Sequence, residues 1–599
     1  MVPQDLADRK TCDMREPAVL LMGNNPSRQD RCITKVLQFF GIPSRDSTAA
    51  EFPSTDVAGD ATSDRPRLLC SAEVFLRLIE DLERNPNSRE WWDHLHSVFV
   101  YAGDDFEVLQ KLARILSGDD GAVLQAINPC IGDLVVSDQL NDFCGVMAGV
   151  RVAVSQENVA ASRVLNFSKG NAVNVISLDH GATFQKVVYQ NVPVFLSTSR
   201  EMIDIDAELS RNFDVRDHFL GAVPIVLYIK WAFTETCWKA PEANACLVID
   251  DPLLKPNYGC VNFDELLALM ERHHFSTNIA FIPWNWRRSN PKVVRLFNQN
   301  PEHYSLCIHG CDHTAGEFGG YDREHLCWRV GEAVDRMFAH ERRTGIHHDR
   351  IMAFPHGIFS GAAMDVLKRS NFTAAVNSEV VSADPHPQTI RISDFWDIAV
   401  MRYSNFPMFT RRDPSEGIEN FAFDILLGKP CLVAIHHDFC RNRYTHLVEF
   451  INRLNALNCP LLWRSLGEVV RRSCRQQQPS PGVLETEMYG AELRLENRSG
   501  QRERYLIRRR ECEPSAIKEI CDGSGPMAWN CVNDHINFET ELGSGQSKTI
   551  GIRFHEFAGN GYSGVNVSYR FKAMLRRYLS EVRDNYIVKN NLHLPDLFG

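Results

Sequence analysis

The chain lacks an apolar run long enough to cross a bilayer. Its longest, around Phe219 to Phe233, is interrupted by Lys230 and falls short of the roughly 20 residues a spanning helix needs. It also lacks an excess of positive charge, since 65 Lys and Arg face 76 Asp and Glu for a formal charge of −11. No overall field therefore draws in nucleic acid or an anionic lipid surface. The 18 cysteines form no Cys-x-x-Cys pair, and scattered through so long a chain they read as reduced thiols. The first residues show neither an apolar core nor a small-residue cleavage site, so a cytoplasmic protein is expected. A Gly-x-x-x-x-Gly-Lys phosphate loop and internal repeats are missing as well.

What is present is ordinary globular composition, 44% apolar and 24% charged over 599 residues. One core seldom exceeds roughly 250 to 300 residues, so several domains are expected, and three are predicted: 1–238, 239–475 and 483–599. In the first, apolar runs at Ala18–Met22 and Ser97–Tyr101 each lead into a helical pattern, as in an open α/β layer. Its second half turns to β-branched segments, Val173–Leu178, Lys186–Tyr189 and Pro193–Leu196, and is predicted to be mostly strands. This region resembles the amidotransferase-like α/β domains, although it has neither a nucleophile elbow nor a Cys-His pair. The polar stretch Cys474–Gly482 reads as a linker. Alternation at Glu492–Glu496, Tyr505–Arg508 and Thr549–Phe554 predicts a small β-sandwich. A final helix is expected near Arg570–Tyr586, with Leu575, Leu579 and Val582 on one stripe and charges opposite.

From Ala245 the pattern alternates strand and helix, which predicts a parallel (β/α) barrel. Strands are expected at Ala245–Ile249, Thr277–Ile282, Tyr304–Ile308, Ile351–Phe354 and Cys431–Ile435, with helices at Phe263–His273, Pro291–Phe297, Leu326–Phe338 and Ala362–Ser370. Chemistry in such a barrel sits at the carboxyl ends of the strands, and there the sequence places its acids and histidines. Asp250 and Asp251 close one strand, two like charges that are costly to bury side by side without a shared cation. His309-Gly310-Cys311-Asp312-His313 follows another, with two imidazoles four positions apart that can converge on one ion. Gly310 stands where a zinc protease needs Glu, which disfavours that class. Phe354-Pro355-His356-Gly357 and Ile435-His436-His437-Asp438 end two further strands.

This order of motifs resembles the polysaccharide deacetylases of the NodB-homology type, over roughly residues 240 to 475. The resemblance implies that Asp250 is the general base, that Asp251, His309 and His313 bind the metal, and that His437 is the general acid, with His436 beside it in the catalytic set. His356 and Gly357 correspond to the motif that helps bind the oxyanion. Asp394-Phe395-Trp396-Asp397 is similar to the motif that lines the substrate groove. The implied ion is Zn²⁺, with Co²⁺, Ni²⁺ or Fe²⁺ compatible with two imidazoles and a carboxylate. The implied substrate is an N-acetylated sugar or glycan. Trp284 and Trp286, after the second barrel strand, are expected on the same rim to grip sugar. One departure stands out: the family carries Arg two residues before the proline, and this chain has Ala353. That departure keeps open an inactive barrel serving as a carbohydrate-binding or assembly module, and, because the motifs fix the reaction type better than the substrate, a metal-dependent amidohydrolase acting on a non-sugar amide stays open too.

Overall fold

The computed structural model describes residues 17–557, apart from 24, 50, 53–64, 85–87, 129–131, 169–171 and 179–180, together with residues 567–588. The chain forms two compact units, one of Met1–Ala207, Asp214–Lys239 and Gln477–Leu484, the other of Glu208–Phe213, Ala240–Gln476 and Glu485–Gly599.

In the first unit, strands Ser44–Thr48, Ala18–Met22, Arg67–Ser71 and Ser97–Tyr101 lie parallel in that order. Ala18–Met22 and Ser97–Tyr101 are buried at every position, as expected of continuous apolar runs covered on both faces. Val192–Ser197 joins parallel to Ser97–Tyr101, and the sheet then turns antiparallel through Gly181–Tyr189 and Val173–Leu178. The shift to β-branched residues in the sequence marks this change. The longest apolar run is a helix, Phe219–Ala232, buried around nearly its whole circumference. Among the described residues no helix is long and apolar enough to cross a membrane.

The second unit is built on a curved parallel sheet of barrel type. Its strands run in the order Met408–Thr410, Ala374–Asn377, Ile351–Ala353, Tyr304–His309, Thr277–Phe281, Asn244–Asp250 and Cys431–His436. A parallel bridge between Arg412 and Val433 brings the two ends of this order together, with Arg412 N 3.0 Å from Leu432 O and Ala434 N 2.8 Å from Arg412 O. The connecting helices begin where side chains satisfy their first N–H groups: Asn262 caps Phe263–His273, Asn290 caps Pro291–Gln299, Asp322 caps Arg323–Thr344 and Ser360 caps Gly361–Arg369. Seven strands thus aim their carboxyl ends at one mouth, which fixes where a site can form.

After the barrel, Glu492–Glu496, Ser547–Phe554 and Ile517–Asp522 pair antiparallel, as do Glu503–Arg510, His535–Leu542 and Asn530–Val532. The expected linker at Cys474–Gly482 is instead largely a strand, Cys474–Ser480. Its polar composition reads as coil, yet Arg475 is buried against the Trp396 carbonyl at 3.3 Å and the Asp397 carboxylate at 3.2 Å. Those partners lie some 80 positions away in the chain, and local composition cannot reveal them.

One carboxylate is held against its preference. Asp349 accepts from Gly467 N at 2.9 Å and lies 3.8 Å from Arg471. Burial raises its carboxyl to about 6, with Arg471 and the Gly467 N–H offsetting only part of the effect. A raised carboxyl favours the fold below about pH 4, and that advantage is lost as pH climbs to about 6. Asp349→Asn keeps an acceptor without the charge, so it is expected to gain stability on the order of 2 kcal/mol at pH 7 and little at pH 4. Thermal melting at both pH values checks this, and a gain that fails to grow with pH contradicts it.

Candidate active site

Asp250 is the last residue of strand Asn244–Asp250 and is 5% exposed. Arg411 grips it in a bidentate pair, Nη1 to Oδ1 at 2.6 Å and Nη2 to Oδ2 at 2.7 Å. Burial pushes the Asp250 carboxyl up, but Arg411 and then His309 outweigh it and hold the group below its ordinary range. Asp250 is therefore an ionised, oriented carboxylate at neutral pH.

Asp251, the next residue, has a left-handed backbone, φ 81°. Its Oδ1 is buried and meets no hydrogen-bond geometry, while His309 Nε2 faces it at 3.5 Å and His313 Nε2 at 3.1 Å. The three candidate ligand atoms lie within 4.8 Å of one another. His309 Nδ1 is 3.0 Å from the Ala353 carbonyl oxygen, so that nitrogen donates outward and Nε2 keeps its lone pair for the centre. Two imidazoles and one carboxylate, buried and turned inward on each other, form the donor set that zinc and related ions take.

The loop carrying the second histidine is held by Glu317, a residue the sequence reading passed over. Its carboxylate accepts from Cys311 N at 2.8 Å, Asp312 N at 3.2 Å, His313 N at 3.2 Å and Thr314 N at 3.4 Å. Gly310 must be glycine here: its φ is +64°, and a Cβ would strike the Glu317 carboxylate and the Pro355 ring. His313 and His356 also have positive φ, 57° each. Left-handed backbone at three non-glycine residues of one mouth is strain gathered where function sits. Because Glu317 fixes His313 without touching the ligand centre, Glu317→Gln is expected to weaken metal affinity about 10-fold to 100-fold. Competitive chelator titration reads this, and an unchanged affinity would show that the loop holds its own shape.

His437 sits beside strand Cys431–His436 and is buried, whereas His436 is exposed. His437 Nε2 points at Asp584 Oδ1, 3.5 Å away, and its ring meets Tyr258 edge to face at 5.7 Å. Tyr258 donates to Asp584 Oδ2 at 2.7 Å and Arg583 Nε to Asp584 Oδ1 at 2.9 Å. Burial raises the Asp584 carboxyl, but His437, Arg583 and Tyr258 together bring it below its usual range. Asp584 belongs to the turn Arg583–Val588 after helix Val567–Val582. The apolar stripe of that helix faces outward: Leu575, Leu579 and Val582 are 47–50% exposed, while Arg577 on the helix and Asp584 just after it are buried. The barrel mouth offers acids and imidazoles, so the polar face is the one that docks.

Asp250, Asp251, His309, His313, His356, Gly357, His436 and His437 line one cavity of about 550 Å³ together with Arg411, Arg577 and Asp584. Burial lowers the His356 pKa, with His313 and Arg576 adding to the effect. Three expected members lie elsewhere. Trp284 and Trp286 line a separate cavity with Trp328 and Tyr569: the turn Pro283–Asn285 leads the chain toward helix Arg323–Thr344, and Trp284 meets Tyr578 of helix Val567–Val582 edge to face at 5.9 Å. Trp396 is fully buried, edge-on to Phe213 at 5.8 Å and Phe423 at 5.4 Å. It is a core residue and is not among those lining the cavity that holds Asp250 and His437.

No protein-family model matches the sequence, and no curated protein matches it. Solved structures similar to it include Agd3, described as a carbohydrate deacetylase, at 10% identity and TM-score 0.46 over 90% of this chain and 98% of that one. The peptidoglycan deacetylase PdaC from Bacillus subtilis is similar at 10% identity and TM-score 0.24 over 39% of this chain and 92% of that one. A family 4 carbohydrate esterase from Streptomyces lividans is similar at 12% identity and TM-score 0.22, over 36% and 86%.

Proposed function

We propose that the second unit is a metal-dependent hydrolase that removes the N-acetyl group from an amino sugar or glycan. The observation that carries this reading is the convergence of Asp251, His309 and His313 beside a separate carboxylate, Asp250, that Arg411 keeps ionised. A divalent cation on those three residues, zinc fitting best, would polarise the amide carbonyl and lower the pKa of a water from about 15.7 to about 7.

The chain's own groups divide the remaining work. Asp250 takes the proton of the attacking water, which a carboxylate locked by a fork of two hydrogen bonds does without reorienting. His356 and Gly357 border the carbonyl oxygen, where each well-placed donor is worth about 10²-fold to 10³-fold. As the carbon–nitrogen bond breaks, the His437–Asp584 pair returns a proton to nitrogen, releasing acetate and a free amine. Arg411 supplies the guanidinium that Ala353 does not, which favours an active enzyme over an inert barrel.

The test is acetate release from N-acetylated sugars by the purified full chain, before and after chelation and with zinc, cobalt, nickel or ferrous iron added back. Release that stops on chelation and returns with metal supports the reading. Release indifferent to the chelator sinks it, and release from simple amides alone would move it to a non-sugar substrate.

A further inference from the structure

The catalytic cavity holds a cation that hydrolysis does not use. Arg577 is 3% exposed and lines the cavity. Its Nε reaches no hydrogen-bond partner, and among the described residues it forms no ion pair, whereas Arg411 is paired with Asp250 and Arg583 with Asp584. Arg576, half-buried, lines the same space. The acids of this cavity that are free of the catalytic set, Glu379, Asp413 and Asp438, are all exposed, where water screens them. Among the buried charges of the cavity, Asp250 is paired with Arg411, Asp584 with Arg583, and Asp251 faces the two imidazoles, which leaves Arg577 without a partner.

An unpaired guanidinium taken out of water is costly, and natural chains keep one only where something else supplies its partner. Solubility is not the reason, because the same helix leaves Leu575, Leu579 and Val582 outside. Arginine rather than lysine suits a planar, two-oxygen group.

We propose that the substrate carries an anionic group, a carboxylate or a phosphate, which Arg577 binds with Arg576 beside it while the N-acetyl group lies at the metal ligands. The inference rests on the deacetylase reading and narrows it from amino sugars in general to acidic ones. A charge-assisted fork of this kind is worth about 10-fold to 100-fold in affinity.

The experiment uses the zinc-loaded Asp250→Asn protein, which retains the ligand centre, and measures binding of N-acetylglucosamine, N-acetylglucosamine 1-phosphate and N-acetylglucosaminuronic acid by calorimetry. At least one acidic sugar is expected to bind about 10-fold to 100-fold more tightly than the neutral one, and which of the two does so tells phosphate from carboxylate. Adding Arg577→Met is expected to bring the ratio toward one while zinc content stays stoichiometric. Melting should occur no lower than in the parent, because an unpartnered buried charge has gone. Arg577→Lys, which keeps the charge and loses the fork, should retain part of the preference. Equal affinities, or a preference that survives Arg577→Met, overturn the proposal. Acetate release from the three sugars by the unsubstituted protein is scored separately: if no sugar releases acetate, the deacetylase reading falls whatever the binding shows. Release without any preference for an acidic sugar overturns this inference alone.

Discussion

Asp251→Asn is expected to strip the protein of its metal and its activity together, while Asp250→Asn keeps the metal and loses activity by about 10³-fold. The two residues are neighbours, yet they reach the cavity by different routes. Asp251, with φ 81°, presents a buried oxygen to His309 and His313, and an amide in its place cannot supply the charge that offsets a divalent cation. Its affinity for metal should fall by more than about 100-fold, beyond what loss of a supporting residue costs, and excess zinc should restore some turnover. Asp250 instead faces Arg411 in two short hydrogen bonds. Asparagine there leaves the ligands untouched and removes the proton acceptor, a change in the 10²-fold to 10⁴-fold range of general base catalysis that no added metal recovers. Metal content and kcat measured on both variants decide it. Stoichiometric zinc in Asp251→Asn, or turnover in Asp250→Asn within 10-fold of the unsubstituted protein, is incompatible with the assigned roles.

The second large effect is at Asp584. Its carboxylate is 1% exposed, held by Tyr258, Arg583 and the His437 Nε2. Asp584→Asn conserves shape and removes the negative charge that His437 Nε2 faces at 3.5 Å. We expect kcat to fall about 10²-fold with KM little changed, within the range for a group that supports an acid without touching substrate. A residue that only tied the helix down would lower the melting temperature and leave kcat in place, and that outcome would remove Asp584 from the mechanism. Asp584→Glu should restore part of the rate by returning the charge.

The barrel was largely legible because its strands are continuous apolar runs and its helices keep a 3.6-residue period. Asn244–Asp250, Tyr304–His309 and Cys431–His436 match their predicted spans to within one residue at either end, and helix Phe263–His273 matches throughout. Ala374–Asn377 and Met408–Thr410 were not anticipated, since four and three residues hold too little pattern to register. Missing the second of these hid Arg411, which follows it directly and reaches Asp250 across 161 positions. Asp584 was hidden by helix patterning: Leu575, Leu579 and Val582 make the apolar stripe look like the buried one, and only the charged mouth of the barrel reverses the choice. Local motifs name the residues that could hold an ion. The groups that tune them come from elsewhere in the chain, because orientation is a tertiary property.

Residues 251, 309 and 313 precede the partner of His437 by more than 270 positions. During synthesis the ion-holding pocket can be finished while the segment that arms its proton donor is still inside the ribosome. On the proposed deacetylase reading, a newly made barrel would capture its ion early and stay unable to release acetate until the helix that carries Asp584 folds back, so metal uptake and the onset of turnover would be separate events in the life of each molecule.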